Sequence, residues 1–279
     1  MKFQYYTYFI NSLGQKSLFE DKRDKNEILK EILKEKIGYV YQGTEFAFVP
    51  VSCFEKENCI LGKIGRKSLL KRNLPPEKEF EKTEEENWPY CFVVFNFNPN
   101  NGVGQNVIFQ VNSSVFSNPQ SLLRKFSEEI NTKLFNYDFA VSINPKTKKE
   151  DFWNIVKRNK GEIEKVSLRF NAPNLFNLKN SLEDDLKESS NNYAATKMSI
   201  DLENPNGGVK ISDQDEFIKQ SAEYLTRGGG EYEFKLKGKK TKINSKKNIV
   251  QKEFEEITEM NLESNDKELI LSVIKSIIK

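Results

Sequence analysis

The residues best suited to chemistry or binding are basic side chains near the end of the chain. Residues 227–247 read RGGGEYEFKLKGKKTKINSKK. Their cations are Arg227, Lys235, Lys237, Lys239, Lys240, Lys242, Lys246 and Lys247. With Glu231 and Glu233 subtracted, eight minus two leaves +6, so the rest of a chain of net charge +3 carries −3. Such a segment attracts a phosphate backbone, because each neutralised phosphate releases condensed counterions. The alternative is a solvated hairpin whose lysines protect an exposed edge strand.

A second basic cluster lies in the first half of the chain, around Gly62 and Gly65. It consists of Lys63, Arg66, Lys67, Lys71 and Arg72. Glycine lets backbone amides approach an anion, and arginine binds phosphate oxygens in a bidentate manner. Arg66, Lys67, Lys71 and Arg72 are therefore predicted nucleic-acid contacts, with an ordinary surface connection as the alternative.

The chain contains no histidine, which excludes Ser-His-Asp and Cys-His nucleophile systems and HExxH zinc sites. Chemistry based on carboxylates and lysine stays open. Glu233 and Lys235 form an E-x-K pattern, and Asp213 and Asp215 lie upstream. Carboxylates that hold Mg²⁺, with a lysine beside the attacking water, would make a metal-dependent nuclease. We keep this as the alternative function, since the composition favours binding without a cofactor over catalysis.

The elements that position these residues indicate an α+β (mixed α/β) fold. A strand-rich part is predicted for residues 1–145, and a part that alternates strands and helices for residues 146–279, ending in two helices. Asn118 followed by Pro119 predicts the start of a helix, and another helix is predicted over residues 175–189. The glycines at 228–230 predict a helix stop and a flexible turn.

Two apolar features of the pattern allow a binding role as well as a structural one. The opening strand carries Tyr5, Tyr6 and Tyr8, and tyrosines on an exposed face could stack on bases. Residues 267–279 predict a helix with a broad apolar face, which either packs on the core or contacts a second copy or a partner protein. A protein-interaction subunit is therefore a third interpretation of the chain.

The cysteine count and the hydropathy pattern predict a cytoplasmic protein. Cys53, Cys59 and Cys91 fit neither a zinc cluster nor a full set of disulfides. The longest apolar stretches are far shorter than the roughly 20 residues of a membrane helix, so no membrane insertion is expected. Lys and Arg number 44 against 41 Asp and Glu, so any electrostatic function depends on where the charges lie.

The order of segments resembles the RexA-like family of phage-exclusion, or abortive-infection, proteins of bacterial antiphage defence. The resemblance lies in the aromatic opening strand YYTYFIN, in GYVYQGTEFAFV followed by KIGRKSLLKR, and in WPYCFVVFNF before NVIFQVNSSVF. It implies a homodimeric DNA-binding sensor or effector that acts with a partner protein of a defence operon rather than as a catalyst. It carries over no site residues.

Overall fold

The computed structural model describes residues 1–13, 23–100, 104–113, 115–171, 195–205 and 208–279. The helix predicted over residues 175–189 lies outside these ranges. The described residues form an α+β fold, which confirms the predicted class. Every pair of neighbouring strands in it is antiparallel.

The larger sheet contains eight strands in the spatial order β14-β1-β8-β7-β4-β3-β2, with β9 also paired to β1. Its strands are β1 (Lys2–Ser12), β2 (Ile37–Tyr41), β3 (Thr44–Phe54), β4 (Cys59–Arg66), β7 (Tyr90–Asn100), β8 (Gly104–Gln110), β9 (Phe139–Pro145) and β14 (Gln251–Glu253). Aromatic and β-branched residues dominate the central strands, as expected for a sheet that is covered on both faces.

Helices cover both faces of this sheet. Helices α1 (Lys25–Leu33) and α2 (Pro119–Leu134) pack on one face, and α5 (Glu259–Leu262) and α6 (Lys267–Ile278) pack on the other. Asn118 caps α2 by accepting a hydrogen bond from the amide of Ser121 at 3.1 Å, and Pro119 is the first helical residue, as predicted. The apolar face of α6 is part of the core, where Ile270, Ile274 and Ile277 are buried.

The smaller sheet has the order β11-β10-β12-β13. Its strands are β10 (Ile163–Asn171), β11 (Lys197–Glu203), β12 (Gly230–Leu236) and β13 (Ile243–Asn244). Helices α3 (Lys149–Arg158) and α4 (Glu216–Tyr224) share a hydrophobic core with one face of this sheet. Burial alternates along β12, with Tyr232 and Phe234 on the helix side and Glu233 and Lys235 on the other face.

The described residues between 147 and 249 form a unit inserted into one edge of the larger sheet. Strands β9 and β14 pair end to end along the same edge of β1, β9 with its second half and β14 with its first residues. At the junction Lys146 N donates to Tyr5 O at 2.9 Å, and Tyr5 N donates to Val250 O at 3.1 Å. Val250 N donates to Lys146 O at 2.7 Å, so the two ends of the inserted unit are hydrogen-bonded to each other.

This packing differs from the predicted division into residues 1–145 and 146–279. The chain leaves the larger sheet at residue 145, as the break at Asn144-Pro145 suggests, but it returns at Gln251. The apolar side chains of α6 fit the open face of the larger sheet, so the last residues belong to the first part. Periodicity alone does not show which sheet a helix covers.

A wide helical turn, Leu225–Gly229, fixes the inserted unit against β1. Thr7 Oγ1 donates to the carbonyl of Arg227 at 2.7 Å. Gly228 has a φ of +91°, and a Cβ on it would lie 2.6 Å from Thr7 Oγ1. Glycine is therefore required here by backbone conformation and by close approach. The predicted helix stop follows α4, but the turn is a packed contact rather than a loose connection.

A two-stranded ribbon forms a separate sheet beside the larger one. It pairs β5 (Ser68–Asn73) with β6 (Lys82–Asn87), and nearly all of its side chains are exposed. Across the described ranges, no helix is long and apolar enough to span a bilayer.

Candidate nucleic-acid interface

The basic segment of residues 227–247 runs along β12, around a turn and back along β13. Three of its predicted contacts are engaged on the outer face of the smaller sheet. Lys235 Nζ lies 2.7 Å from Glu164, Lys242 Nζ 2.6 Å from Glu233, and Lys246 Nζ 3.1 Å from Glu231. These amines are partly or largely exposed, so the pairs add little stability. The three glutamates do, however, neutralise lysines that were predicted to bind phosphate.

The other lysines of the segment lie at the turn between β12 and β13. Lys237, Lys239 and Lys240 are exposed, and none forms an ion pair with a residue that the structure describes. Gly238, at a φ of +69°, allows the tight reversal, and Lys239 N donates to Leu236 O at 3.1 Å. The backbone thus holds three amines, all without an ion pair in the described part of the chain, within one short turn.

Two further cations reach this turn from a distant part of the chain. Lys237 N donates to Glu162 O at 2.8 Å, and Ile163 pairs with Leu236, so the loop after α3 lies beside the turn. Arg158, the last residue of α3, and Lys160 in that loop are both exposed and unpaired within the described ranges.

We name Arg158, Lys160, Lys237, Lys239 and Lys240 the basic tip. The adjacent acidic side chain of the same loop is Glu162, so five minus one leaves +4 at this end of the smaller sheet. Arg158 and Lys160 were missed by the sequence analysis. The sequence around them, Arg158-Asn159-Lys160-Gly161, contains no recognisable binding motif. Only the pairing of β10 with β12 brings this segment beside the lysine turn.

Arg227, another predicted contact, lies at the opposite end of β12 from the basic tip. Its positive charge adds to a hydrogen bond from Lys149 that holds the pKa of Glu223 below the ordinary value. The carbonyl of Arg227 is bound by Thr7, so this residue belongs to the contact between the inserted unit and β1. Lys247 is also a predicted contact, but its side chain is not among those that the structure describes.

The cluster in the first half of the chain is largely neutralised by an acidic strand. Lys67 lies 2.9 Å from Glu86, and Lys71 lies 2.9 Å from Glu84 across the ribbon. The remaining pairs join Arg72 to Glu85, Lys67 to Glu45, and Lys63 to Glu263. The run of three glutamates at residues 84–86 was visible in the sequence, but its register opposite β5 was not. This ribbon face is a mixed surface rather than a basic one.

Arg66 is the exception in this cluster, because it forms no ion pair with any described residue. It projects toward the face of the larger sheet that α2 covers, where it lines a cleft. Arg66 is therefore separated from the lysines of the ribbon, although it adjoins Lys67 in sequence.

The residues of the alternative nuclease site are not brought together. Asp215 caps α4 by accepting a hydrogen bond from Ile218 N at 3.0 Å, on the helix side of the smaller sheet. Glu233 and Lys235 project from the other face of that sheet and form ion pairs there. Asp213 contacts Gln214 next to it. No group of three acidic or cysteine side chains among the described residues is arranged to hold a metal ion.

The tyrosines of the opening strand offer no stacking surface. Tyr5, Tyr6 and Tyr8 are all buried, because helices or the inserted unit cover both faces of β1. The hydroxyl of Tyr5 donates to Ile277 O at 2.8 Å, which ties β1 to α6. The stacking interpretation is therefore wrong for these three residues.

Comparison of the chain with models of protein families, with curated proteins and with solved structures gave no match. The resemblance to RexA-like proteins rests on the sequence motifs alone.

Proposed function

We propose that this protein binds nucleic acid, DNA in the first instance, through phosphate contacts made by the basic tip. The observation that carries the proposal is that five exposed cations lie on two segments distant in sequence, the end of α3 with its loop and the turn after β12. These segments are hydrogen-bonded at one end of a sheet, and the cations have no carboxylate partners among the described residues. Unpaired lysine and arginine side chains neutralise phosphates and release counterions, which is the main source of sequence-independent affinity.

The tip favours contacts to the backbone over contacts to the bases. Four of its five members project from turns that are only a few residues long, Lys160 after α3 and the three lysines after β12. No tip residue belongs to a long helix that could lie in a groove, so we expect weak sequence preference.

The biological setting proposed here comes from the resemblance and not from the tip. The resemblance implies a homodimer that acts with a partner protein in bacterial antiphage defence by abortive infection, and the cysteine and hydropathy patterns favour the cytoplasm. A dimer would present two tips and would strengthen a weak phosphate contact by raising the effective concentration of the second site.

The test is fluorescence anisotropy with a labelled generic duplex at about 50 and about 200 mM salt. If the tip contacts four or five phosphates, affinity should fall by roughly 100- to 1,000-fold over that range. The triple variant Lys237→Glu, Lys239→Glu and Lys240→Glu should abolish binding at the lower salt concentration.

A matched control makes the same change in total charge elsewhere. Lys36, Lys56 and Lys82 are exposed and form no ion pair with described residues, so their triple change to Glu alters the net charge equally. The control should keep its affinity within about threefold if the contact is local rather than a net-charge effect. Equal losses in both variants, or no binding by the unmodified protein at the lower salt concentration, would refute the proposal.

A further inference from the structure

A cleft of about 310 Å³ lies between the β2–β3 hairpin and the start of α2. Its size falls within the range of small-molecule sites, and it is the place where Arg66 is found. The side chains that matter for its chemistry are Tyr41, Thr44, Arg66, Phe116, Ser117 and Ser121. It is distinct from the basic tip, which belongs to the smaller sheet.

Among the residues that the structure describes, none forms an ion pair with Arg66. It pairs in register with Phe46, and it lies on the same face of the sheet as the buried Ile64. The neighbouring Lys67 projects the other way and binds both nearby carboxylates, Glu45 and Glu86. Arg66 is half-buried, and its Nε is sealed from solvent without a hydrogen-bond partner among the described residues. A buried Nε without a partner has lost its hydrogen bond to water, and an anion bound in the cleft would supply an acceptor.

Three residues with hydroxyl side chains line the same cleft as Arg66. Thr44 ends the hairpin turn, and Ser117 and Ser121 flank the first turn of α2. The amide of Ser121 is already bound by the Asn118 side chain, so the helix contributes the positive end of its dipole rather than that donor. Arginine with short hydroxyl side chains is a donor set that suits a phosphate group.

One wall of the cleft is aromatic. The rings of Phe46 and Phe116 stack with centroids 5.9 Å apart, and the ring of Tyr41 lies 6.1 Å from that of Phe46. Tyr41 is half-buried and pairs with Thr44 across a turn in which Gln42 and Gly43 both have positive φ. This turn holds an aromatic ring and the exposed amide of Gln42 at the cleft mouth, where a planar base could stack and form hydrogen bonds.

We propose that this cleft binds a nucleoside monophosphate, with the phosphate on Arg66 and the base against Tyr41. The proposal does not rest on nucleic-acid binding by the tip. Its basis is a cavity of suitable volume lined by three hydroxyl residues, an aromatic wall and a guanidinium that has no ionic partner in the described part of the chain.

Isothermal titration calorimetry with the four common nucleoside monophosphates tests the proposal, with the matching nucleosides and inorganic phosphate as comparisons. At least one monophosphate should bind at least tenfold more tightly than its nucleoside and than phosphate alone. Arg66→Met should weaken that binding tenfold or more. Arg72→Met is the matched control, because Arg72 lies in the same basic cluster but outside the cleft, and it should leave binding unchanged.

Two further measurements keep the result interpretable. If Arg66→Met fails to fold by circular dichroism, Thr44→Val and Ser121→Ala should each reduce affinity in a folded protein. The Lys237, Lys239 and Lys240 reversal should leave mononucleotide binding unchanged, which separates this site from the tip. Absence of binding by all four monophosphates at millimolar concentration, or equal binding of inorganic phosphate, would overturn the proposal.

Discussion

Lys146 lies at the junction where the chain leaves the larger sheet, and its replacement should stabilise the protein. Its amine has no ion-pair partner among the described residues. Burial lowers its pKa from the ordinary 10.5 to about 8, and repulsion from Lys252 adds to the effect. Protonation of Lys146 is therefore about 3 kcal/mol less favourable in the folded than in the unfolded chain.

The sign of the pH dependence follows from that difference. Between about pH 8 and pH 10.5 the unfolded chain binds this proton and the folded chain does not, so stability rises with pH in this window. Below about pH 8 both states are protonated, and the full penalty applies. Lys146→Met removes it, so the variant should be more stable by up to about 3 kcal/mol at pH 7 and by roughly half of that near pH 9.5.

Urea denaturation followed by circular dichroism at the two pH values measures this difference. The control is Lys148→Met, because Lys148 is exposed and its side chain forms no capping hydrogen bond. The control should change the free energy of unfolding by less than about 0.5 kcal/mol at either pH. A Lys146→Met variant that is less stable than the unmodified protein, or a stability gain that does not change with pH, would refute the reasoning.

Two other predictions concern the packing. Gly228→Ala should lower the free energy of unfolding by about 2 kcal/mol or more, because it combines a positive φ with a clash against Thr7. Gly43→Ala is the control, because Gly43 has a positive φ but open space around it, and this change should cost only about 1 kcal/mol. Equal losses of stability in thermal melts would contradict the close contact. Burial raises the pKa of Cys59 to about 11 and that of Cys91 to about 12. Only the exposed Cys53 should therefore react quickly with Ellman's reagent at pH 8, and Cys53→Ser should remove that fast phase. Fast reaction of a second thiol would show that the core opens.

Local signals predicted many of the elements. The Asn118-Pro119 start of α2, the aromatic strand β1 and the apolar face of α6 each depend on residues that are neighbours in sequence. The return of the chain to the larger sheet has no such local signal. It depends on β14 pairing with β1 across more than 240 residues, and three residues of strand carry no recognisable pattern.

For the candidate site, too, the sequence predicts which residues are charged but not which of them are paired. The lysines of residues 227–247 were identified, but charge on a sequence does not reveal which amines meet carboxylates on the adjacent strand. Alternation along β12 places Glu231 and Glu233 within reach of Lys246 and Lys242. The tip, whose cations have no carboxylate partner among the described residues, becomes recognisable only when the pairing of β10 with β12 is known.

The inserted unit also sets the order in which the molecule can be completed during synthesis. Strand β14 and helix α6 follow the whole unit in the chain, so one apolar face of the larger sheet, which includes Phe3, Phe92 and Ile108, stays open to water until residues 267–278 leave the ribosome. Contacts with such long sequence separation form late, and an uncovered apolar sheet is a substrate for chaperones. Maturation of the larger sheet is thus tied to the presence of the smaller one, even though the two have separate cores.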